Sequence, residues 1–462
     1  MASGDDTSVY SLSISSTHDG SVVALAMSSI IVVERFRDDN GVFMLSEGQV
    51  VRSVACLRGP DSKVYVVAAG DGKLISVHDV SLAAPFEAGR CEQYGYHPAE
   101  ETVIFRYGPH NKRITHAVTC GDACILFADK FGEVFRLQLA WGCGSTLAVA
   151  TDCPEPVFLL QHFSVLTGLL VSCPVAQHSC EVVKLASDGK GAAAPVPVAA
   201  RWLFTFDKDC HARVSCYPDT FRIEQFLWTK PPQAVVTAVV EIPPLEDQGN
   251  FSYFVIGLYS GKVNLWAADN RAVEVGLPID SFSVRGSFSP ELAKTQETGA
   301  VISLAYIKLA TYGPPSGGRN RVSHGLLIAY GNVCDVIFVP LDNALDGSGA
   351  PFIVTEVIHT PLESHPIAMT RCAVDSVLLL ERSGCVQRLH LVEEGNSTRI
   401  HVFRLALFES AVSYAIQRHP SDFLRCLNLF SQWNHGCVDP RVRKRETRAA
   451  SEDSSEVVGD GE

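Results

Sequence analysis

An all-β fold is what this sequence predicts, and more narrowly a seven-bladed WD40-type β-propeller with short C-terminal helices. Three observations carry that reading. Strand-like runs of four to seven residues fill the chain, with almost no helical spacing before residue 400. Turn signals that contain glycine separate them, as at Asp71-Gly72 and Tyr259-Ser260-Gly261. The strands that close these hairpins centre roughly on residues 33, 77, 136, 215, 264, 336 and 388, spaced by about 45 to 80 residues, the length of a blade plus insertions. A single β-sandwich accounts for the strands but not for seven similar units.

Composition bounds the function. The 462 residues are 47% apolar and 19% charged, with a mean hydropathy of +0.13, enough apolar content to bury a large core. No uninterrupted run of 18 apolar residues suggests a membrane span, and no signal peptide is expected. The 15 cysteines include no C-x-x-C pair, so zinc is not expected and buried reduced thiols are. A net charge of −13 opposes nucleic-acid binding over the whole surface while allowing a local basic patch.

Along the chain, residues 1–8 read as a flexible N-terminus and 9–400 as the propeller. Strands are expected at Val9–Ile14, Ser21–Met27, Ile30–Phe36, Val50–Leu57, Val64–Ala68, Leu74–Val80 and Val103–Tyr107. Further strands follow at Ile114–Thr119, Cys124–Ala128, Val134–Leu139, Val157–Leu160, Leu166–Ser172 and Glu181–Leu185. The stretch Trp202–Phe226 reads as a meander of three strands. Its turns are Asp207-Lys208-Asp209 and Tyr217-Pro218-Asp219-Thr220. Later units lie at 235–267, 301–340 and 352–391, with insertions at 140–155, 186–198 and 268–299, the last with helix and loop equally open. A helical extension over 401–435 contains helical spacing at Leu405–Gln417 and Ser421–Phe430. Residues 436–462 form a basic-then-acidic tail expected to be disordered.

No catalytic set emerges. Gly70-Asp71-Gly72 is a hairpin turn with no helix after it, and neither G-x-S-x-G nor H-E-x-x-H occurs. Asp207 and Asp209 have the spacing to share a proton or ligand, but capping the tight turn is the favoured reading. His116, His162 and His211 are scattered and default to structural roles. No cofactor or metal is expected, and a propeller without catalytic residues is most often a docking platform whose loop and blade-edge side chains matter most.

Four stretches in order carry a family resemblance. They are Ala128-Asp129-Lys130-Phe131-Gly132-Glu133-Val134-Phe135; His162-Phe163-Ser164-Val165-Leu166; Asp207-Lys208-Asp209 with Arg213-Val214-Ser215, Tyr217-Pro218 and Phe226; and Tyr259-Ser260-Gly261 to Trp266. Together they resemble the WD-repeat non-catalytic subunit of the tRNA (guanine-N7-)methyltransferase complex, over about residues 105–266. The resemblance implies a chain that does no chemistry itself. Its partner would be a catalytic subunit that uses S-adenosylmethionine to form N7-methylguanosine in the tRNA variable loop. tRNA would be met mainly through the complex, without a membrane, in the nucleus and also in the cytoplasm. Carried over by position, Arg213 is the leading interface residue, followed by Lys208, His211 and Lys230. Asp207, Asp209, Asp129, Gly132, His162 and Trp266 would hold turns and blades. Arg441, Arg443, Lys444 and Arg445 suit RNA contact or nuclear import.

This chain departs from the family pattern. His211 stands for a lysine, Cys210 for a glutamate and Gln161 for a glycine; Leu227-Trp228-Thr229-Lys230 replaces C-x-G-H. The His211 change makes a fixed charge depend on pH. The competing reading is a general WD40 adaptor in another assembly, such as a ubiquitin ligase. A propeller enzyme with a central-channel site has no residue set to support it.

Overall fold

The computed structural model describes residues 13–17, 19–36, 41–59, 61–87, 101–121, 123–139, 141, 155–162, 164–175, 179–182, 196–208, 211–218, 220, 224–227, 235–243, 251–272, 282–288, 299–310, 322–341, 357–394 and 397–421. Among these, strands form seven four-stranded antiparallel sheets and one two-stranded sheet. Blade 1 is β1 (Ile14–Ser16), β2 (Val22–Met27), β3 (Ile30–Arg35) and β4 (Gly41–Ser46). Blade 2 is β5 (Val51–Arg58), β6 (Val64–Gly70), β7 (Ile75–Asp79) and β8 (Val103–Tyr107). Blade 3 is β9 (Ile114–Thr119), β10 (Cys124–Asp129), β11 (Glu133–Gln138) and β12 (Val157–Gln161).

Blade 4 begins with β13 (Leu166–Val171). A side hairpin of β14 (Ser179–Val182) and β15 (Val196–Ala199) follows, before β16 (Arg201–Asp207), β17 (Ala212–Tyr217) and β18 (Glu224–Leu227) complete the blade. Blade 5 is β19 (Val236–Ile242), β20 (Phe251–Leu258), β21 (Val263–Asp269) and β22 (Phe282–Phe288). Blade 6 is β23 (Val301–Ala310), β24 (Val322–Tyr330), β25 (Asp335–Pro340) and β26 (Ile358–Pro361). Blade 7 is β27 (Pro366–Ala373), β28 (Ser376–Glu381), β29 (Val386–Glu394) and β30 (Ser397–Arg404), and helix α1 (Ala406–Arg418) follows it. Within each blade the strands are a to d from the centre outward. The expected strand centres fall on the seven c strands.

The b strands explain why the fold reads so clearly. A strand's side chains alternate between its two faces, and here both faces are covered. In β2, Val23, Leu25 and Met27 enter the core shared with blade 7, while Val22, Ala24 and Ala26 enter the core shared with blade 2. In β6, Tyr65, Val67 and Ala69 face blade 3, while Val64, Val66 and Ala68 face blade 1. The result is an unbroken apolar run rather than an alternating one. Each pair of neighbouring blades shares such a core, and neighbouring a strands touch around the ring, including β27 against β1.

Closure involves no exchange of strands, because every blade is continuous in sequence. Instead α1 packs on β2, β3, β4 and β29, driving the buried side chains of Phe408, Ala411, Val412 and Ala415 into the core between blades 1 and 7. The Thr370 hydroxyl donates to Ser16 Oγ at 3.2 Å, and Ser29 Oγ lies 3.1 Å from His419 Nε2.

The structure revises several element boundaries. Gly41–Ser46 and Phe282–Phe288 are d strands that sequence pattern did not assign, the second inside the 268–299 insertion. The strand expected at Glu181–Leu185 is described only to Val182 and is not in the blade there: Ser179–Val182 pairs with Val196–Ala199 in the side hairpin, and β13 pairs directly with β16. The first strand is described only at Ile14–Ser16, and the third meander strand only at Glu224–Leu227. Residues 1–8, 142–154 of the 140–155 insertion, most of Ser421–Phe430 and all of 436–462 lie outside the described residues.

Candidate interaction surface

The a-to-d order puts the b–c turns and the d–a connections on one face of the ring. In blade 3, Asp129 ends β10 and is buried. Its Oδ1 accepts the backbone N–H groups of Phe131 and Glu133, at 2.8 and 3.1 Å. His110, from the preceding d–a connection, brings Nε2 within 3.9 Å of Asp129 Oδ2, while Tyr107 Oη lies 3.0 Å from His110 Nδ1. The His110 ring packs edge-on against Phe127 and Phe135. Burial alone would raise the Asp129 carboxyl; the nearby His110 imidazole and the hydrogen bonds from the two backbone N–H groups hold it below the ordinary carboxylate range.

Blade 4 repeats the device. Asp207 is buried at the end of β16. Oδ1 accepts the His211 backbone N–H at 3.0 Å, and His162 Nδ1 lies 3.3 Å from Oδ2. His162 Nε2 sits 2.6 Å from Thr205 Oγ1, so both ring nitrogens of this buried histidine have partners. His211 Nδ1 lies 3.1 Å from Asp207 Oδ2. Burial again works to raise the Asp207 carboxyl, and the hydrogen bonds and charges of His162 and His211 overcome it and lower it. Blade 7 carries a variant, in which Glu381 Oε2 accepts the Ser364 backbone N–H at 2.6 Å. In blades 3, 4 and 7 a group from the d–a connection thus reaches back to a buried acid at the b–c turn. The fold is a seven-bladed propeller of the WD40 type.

In this WD40-type ring the two turns form one continuous surface. Gly132 adopts φ +77°, and a Cβ there would lie 2.3 Å from the Ser164 carbonyl oxygen, so the blade 3 turn sits directly on the 162–165 connection. That connection meets the blade 4 turn through Asp207 and through the Lys208 N–H, which donates to the Val165 carbonyl at 3.2 Å. On the other side, the Lys130 N–H donates to the Arg113 carbonyl at 3.1 Å.

The tips differ from the ties beneath them. Phe131 is 49% exposed at the apex of the blade 3 turn. Lys112 Nζ stands 4.1 Å from its ring centroid and Lys130 Nζ 5.2 Å, both within cation–π range. Lys112 also donates to Glu133 at 3.1 Å. Lys208 is exposed on the blade 4 turn, and Lys73 on the corresponding turn of blade 2.

Arg213 is placed otherwise. It lies in β17 between Thr205 and Phe226, is 8% exposed, and brings Nη1 to 3.5 Å from the Gln161 carbonyl. Trp266 is buried in β21 within the core shared by blades 4 and 5. Asp209, Lys230, Arg441, Arg443, Lys444 and Arg445 lie outside the described residues. Sequence reasoning passed over His110, Thr205, Lys112 and above all Phe131. A large aromatic where a tight turn ordinarily holds a small polar residue was the available signal.

Among the described residues, no group of three or more His, Cys, Asp or Glu is placed to hold a metal ion, and no helix is long and apolar enough to cross a membrane. No family model and no curated protein matches the chain. Among solved structures, the crystal structure of Saccharomyces cerevisiae Sqt1 is similar, at 14% identity and a TM-score of 0.46, covering 87% of this chain and 95% of that one.

Proposed function

We propose that this propeller is a non-catalytic interaction platform that docks a protein partner on the b–c face of blades 3 and 4. The observation that carries the reading is the Phe131 apex with Lys112 and Lys130 at its ring. An exposed aromatic on a turn held from below loses little conformational freedom on binding, which is what an interface anchor requires. Flanking lysines on a chain of net charge −13 favour a partner surface that is apolar at its centre and acidic at its rim.

A narrower reading names the partner as a catalytic tRNA (guanine-N7-)methyltransferase subunit, with tRNA engaged through the complex and the assembly acting in the nucleus. What supports it is that two of the stretches carrying the resemblance are the blade 3 and blade 4 turns, joined through the third, His162–Leu166. Within it, Lys208 is an exposed contact and His211 is oriented by Asp207. Arg213 would act from the rim through its guanidinium edge.

Affinity purification of the tagged full chain from native cells, followed by mass spectrometry, tests both readings. The platform reading expects a stoichiometric protein partner that is lost with Phe131→Ala and Lys130→Glu together and kept by a Val374→Ser control. Retention by the double variant would overturn the assignment of this face. The narrower reading expects that partner to methylate guanine N7 in tRNA when given S-adenosylmethionine. A partner without that activity leaves the general adaptor.

A further inference from the structure

We propose that Cys120 and Cys124 are a reversible redox pair that closes into an intramolecular disulfide when the protein meets a peroxide. The two residues flank the three-residue turn between β9 and β10. Ile125 pairs with Thr119, so the next residues outward, Cys124 and Cys120, stand directly opposite each other. The Cys120 N–H donates to the Cys124 carbonyl at 2.9 Å. A hydrogen-bonded antiparallel pair holds its Cα atoms about 5.5 Å apart. A disulfide spans about 4.4–6.8 Å between Cα atoms, so closure requires side-chain rotation and no backbone movement.

The two thiols differ. Cys124 Sγ lies 3.3 Å from Tyr217 Oη, across the boundary between blades 3 and 4. The hydrogen bond with Cys120, that with Tyr217 and the charges of Arg136 and Arg201 all favour a thiolate on Cys124 and lower its pKa in spite of burial. The proximity of Cys124, with burial, pushes the Cys120 thiol up. Burial pushes Cys56, Cys173 and Cys372 the other way from Cys124, up to about 12. Cys120 and Cys124 are each 6% exposed beside the exposed Gly121, at the end of the blade rather than deep within it.

The chemistry balances with hydrogen peroxide as the oxidant. The Cys124 thiolate attacks one peroxide oxygen; the O–O bond breaks, Cys124 becomes the sulfenic acid, and the departing hydroxide takes a proton to leave as water. Cys120 sulfur then attacks Cys124 sulfur. The S–O bond breaks, the Cys120 proton goes to the leaving hydroxide, and the S–S bond forms with a second water. Two thiols are oxidised by two electrons and one peroxide is reduced. A dithiol reductant reverses the step.

The test uses the reduced full chain, stepwise hydrogen peroxide, an N-ethylmaleimide quench and peptide mapping without reductant. The peptide spanning 120–124 is expected to lose two hydrogens and escape alkylation before Cys56, Cys372 or Cys385 reacts, and to recover with dithiothreitol. Cys120→Ser is expected to stop at a sulfenic acid on Cys124 that dimedone traps. Tyr217→Phe is expected to slow closure by about threefold or more, since the thiolate loses a donor. Full alkylation of both cysteines after the other thiols have oxidised would overturn the proposal, and the wild-type map alone decides this. Closure in Tyr217→Phe at the wild-type rate would remove the activated role of Cys124.

Discussion

The b–c turns of blades 3 and 4 share a skeleton and differ at the tip. Both begin with a buried aspartate, Asp129 or Asp207, approached by a histidine from the preceding connection. Above that tie, blade 3 presents Phe131 between two lysines, whereas blade 4 presents Lys208 and gives its aspartate a second histidine, His211. The comparison teaches that the acids and histidines, which look most like chemistry in the sequence, are scaffolding. They point inward, at one another and at the backbone of the turn. Recognition is left to side chains the scaffold does not use.

The largest expected effects come from breaking the shared skeleton. Asp207→Ala strands His162 and the His211 N–H without their acceptor. It should cost about 3 kcal/mol in chemical denaturation, with Asp129→Ala close behind. Arg213→Glu puts a carboxylate into a site 8% exposed beside the Gln161 carbonyl oxygen, and should cost a similar amount, about 3 kcal/mol. Gly132→Ala should cost about 2 kcal/mol, because φ +77° strains an L residue and the new Cβ meets the Ser164 carbonyl oxygen. An Asp129→Ala variant as stable as wild type would show that the two turns do not share a mechanism.

Acid should expose the same tie. Both aspartates titrate lower in the fold than the ordinary value of about 3.9. Their stabilising contribution is therefore full above about pH 4 and fades as pH falls further through the folded values. Stability measured from pH 5 down to pH 2 should fall more steeply in wild type than in Asp207→Asn. At the tips the effects on folding shrink. Lys208→Glu lies in solvent and should change stability by no more than about 0.5 kcal/mol, in contrast with Arg213→Glu. Equal destabilisation by these two reversals would contradict their different placement.

How much of this was legible follows from how each element is packed. Most c strands follow glycine-bearing turns, and the b strands feed two cores, so both print strong patterns, as in β21 after Gly261 and in β6. The d strand β22 does not. Its F-S-V-R alternation breaks at Gly286, and its register shifts against β21 between Leu265 and Trp266. The insertion that delays β16 hid the pairing of β13 with β16, because consecutive strands are ordinarily neighbours. At the site, Asp129, Asp207 and His162 were legible as residues of interest, but their pairing needs the closed ring. Phe131 was visible in the quoted turn, yet its role follows only from exposure, which a sequence does not print.

The central claim is that the blade 3 tip binds while the blade 3 tie merely holds it. Its most direct test is the affinity of the purified wild-type protein and of Phe131→Ala for the partner recovered from cells, measured by titration calorimetry alongside a denaturation curve. The account predicts a loss of affinity of about tenfold or more, with stability within about 0.5 kcal/mol of wild type. Unchanged affinity in a folded Phe131→Ala protein would contradict it.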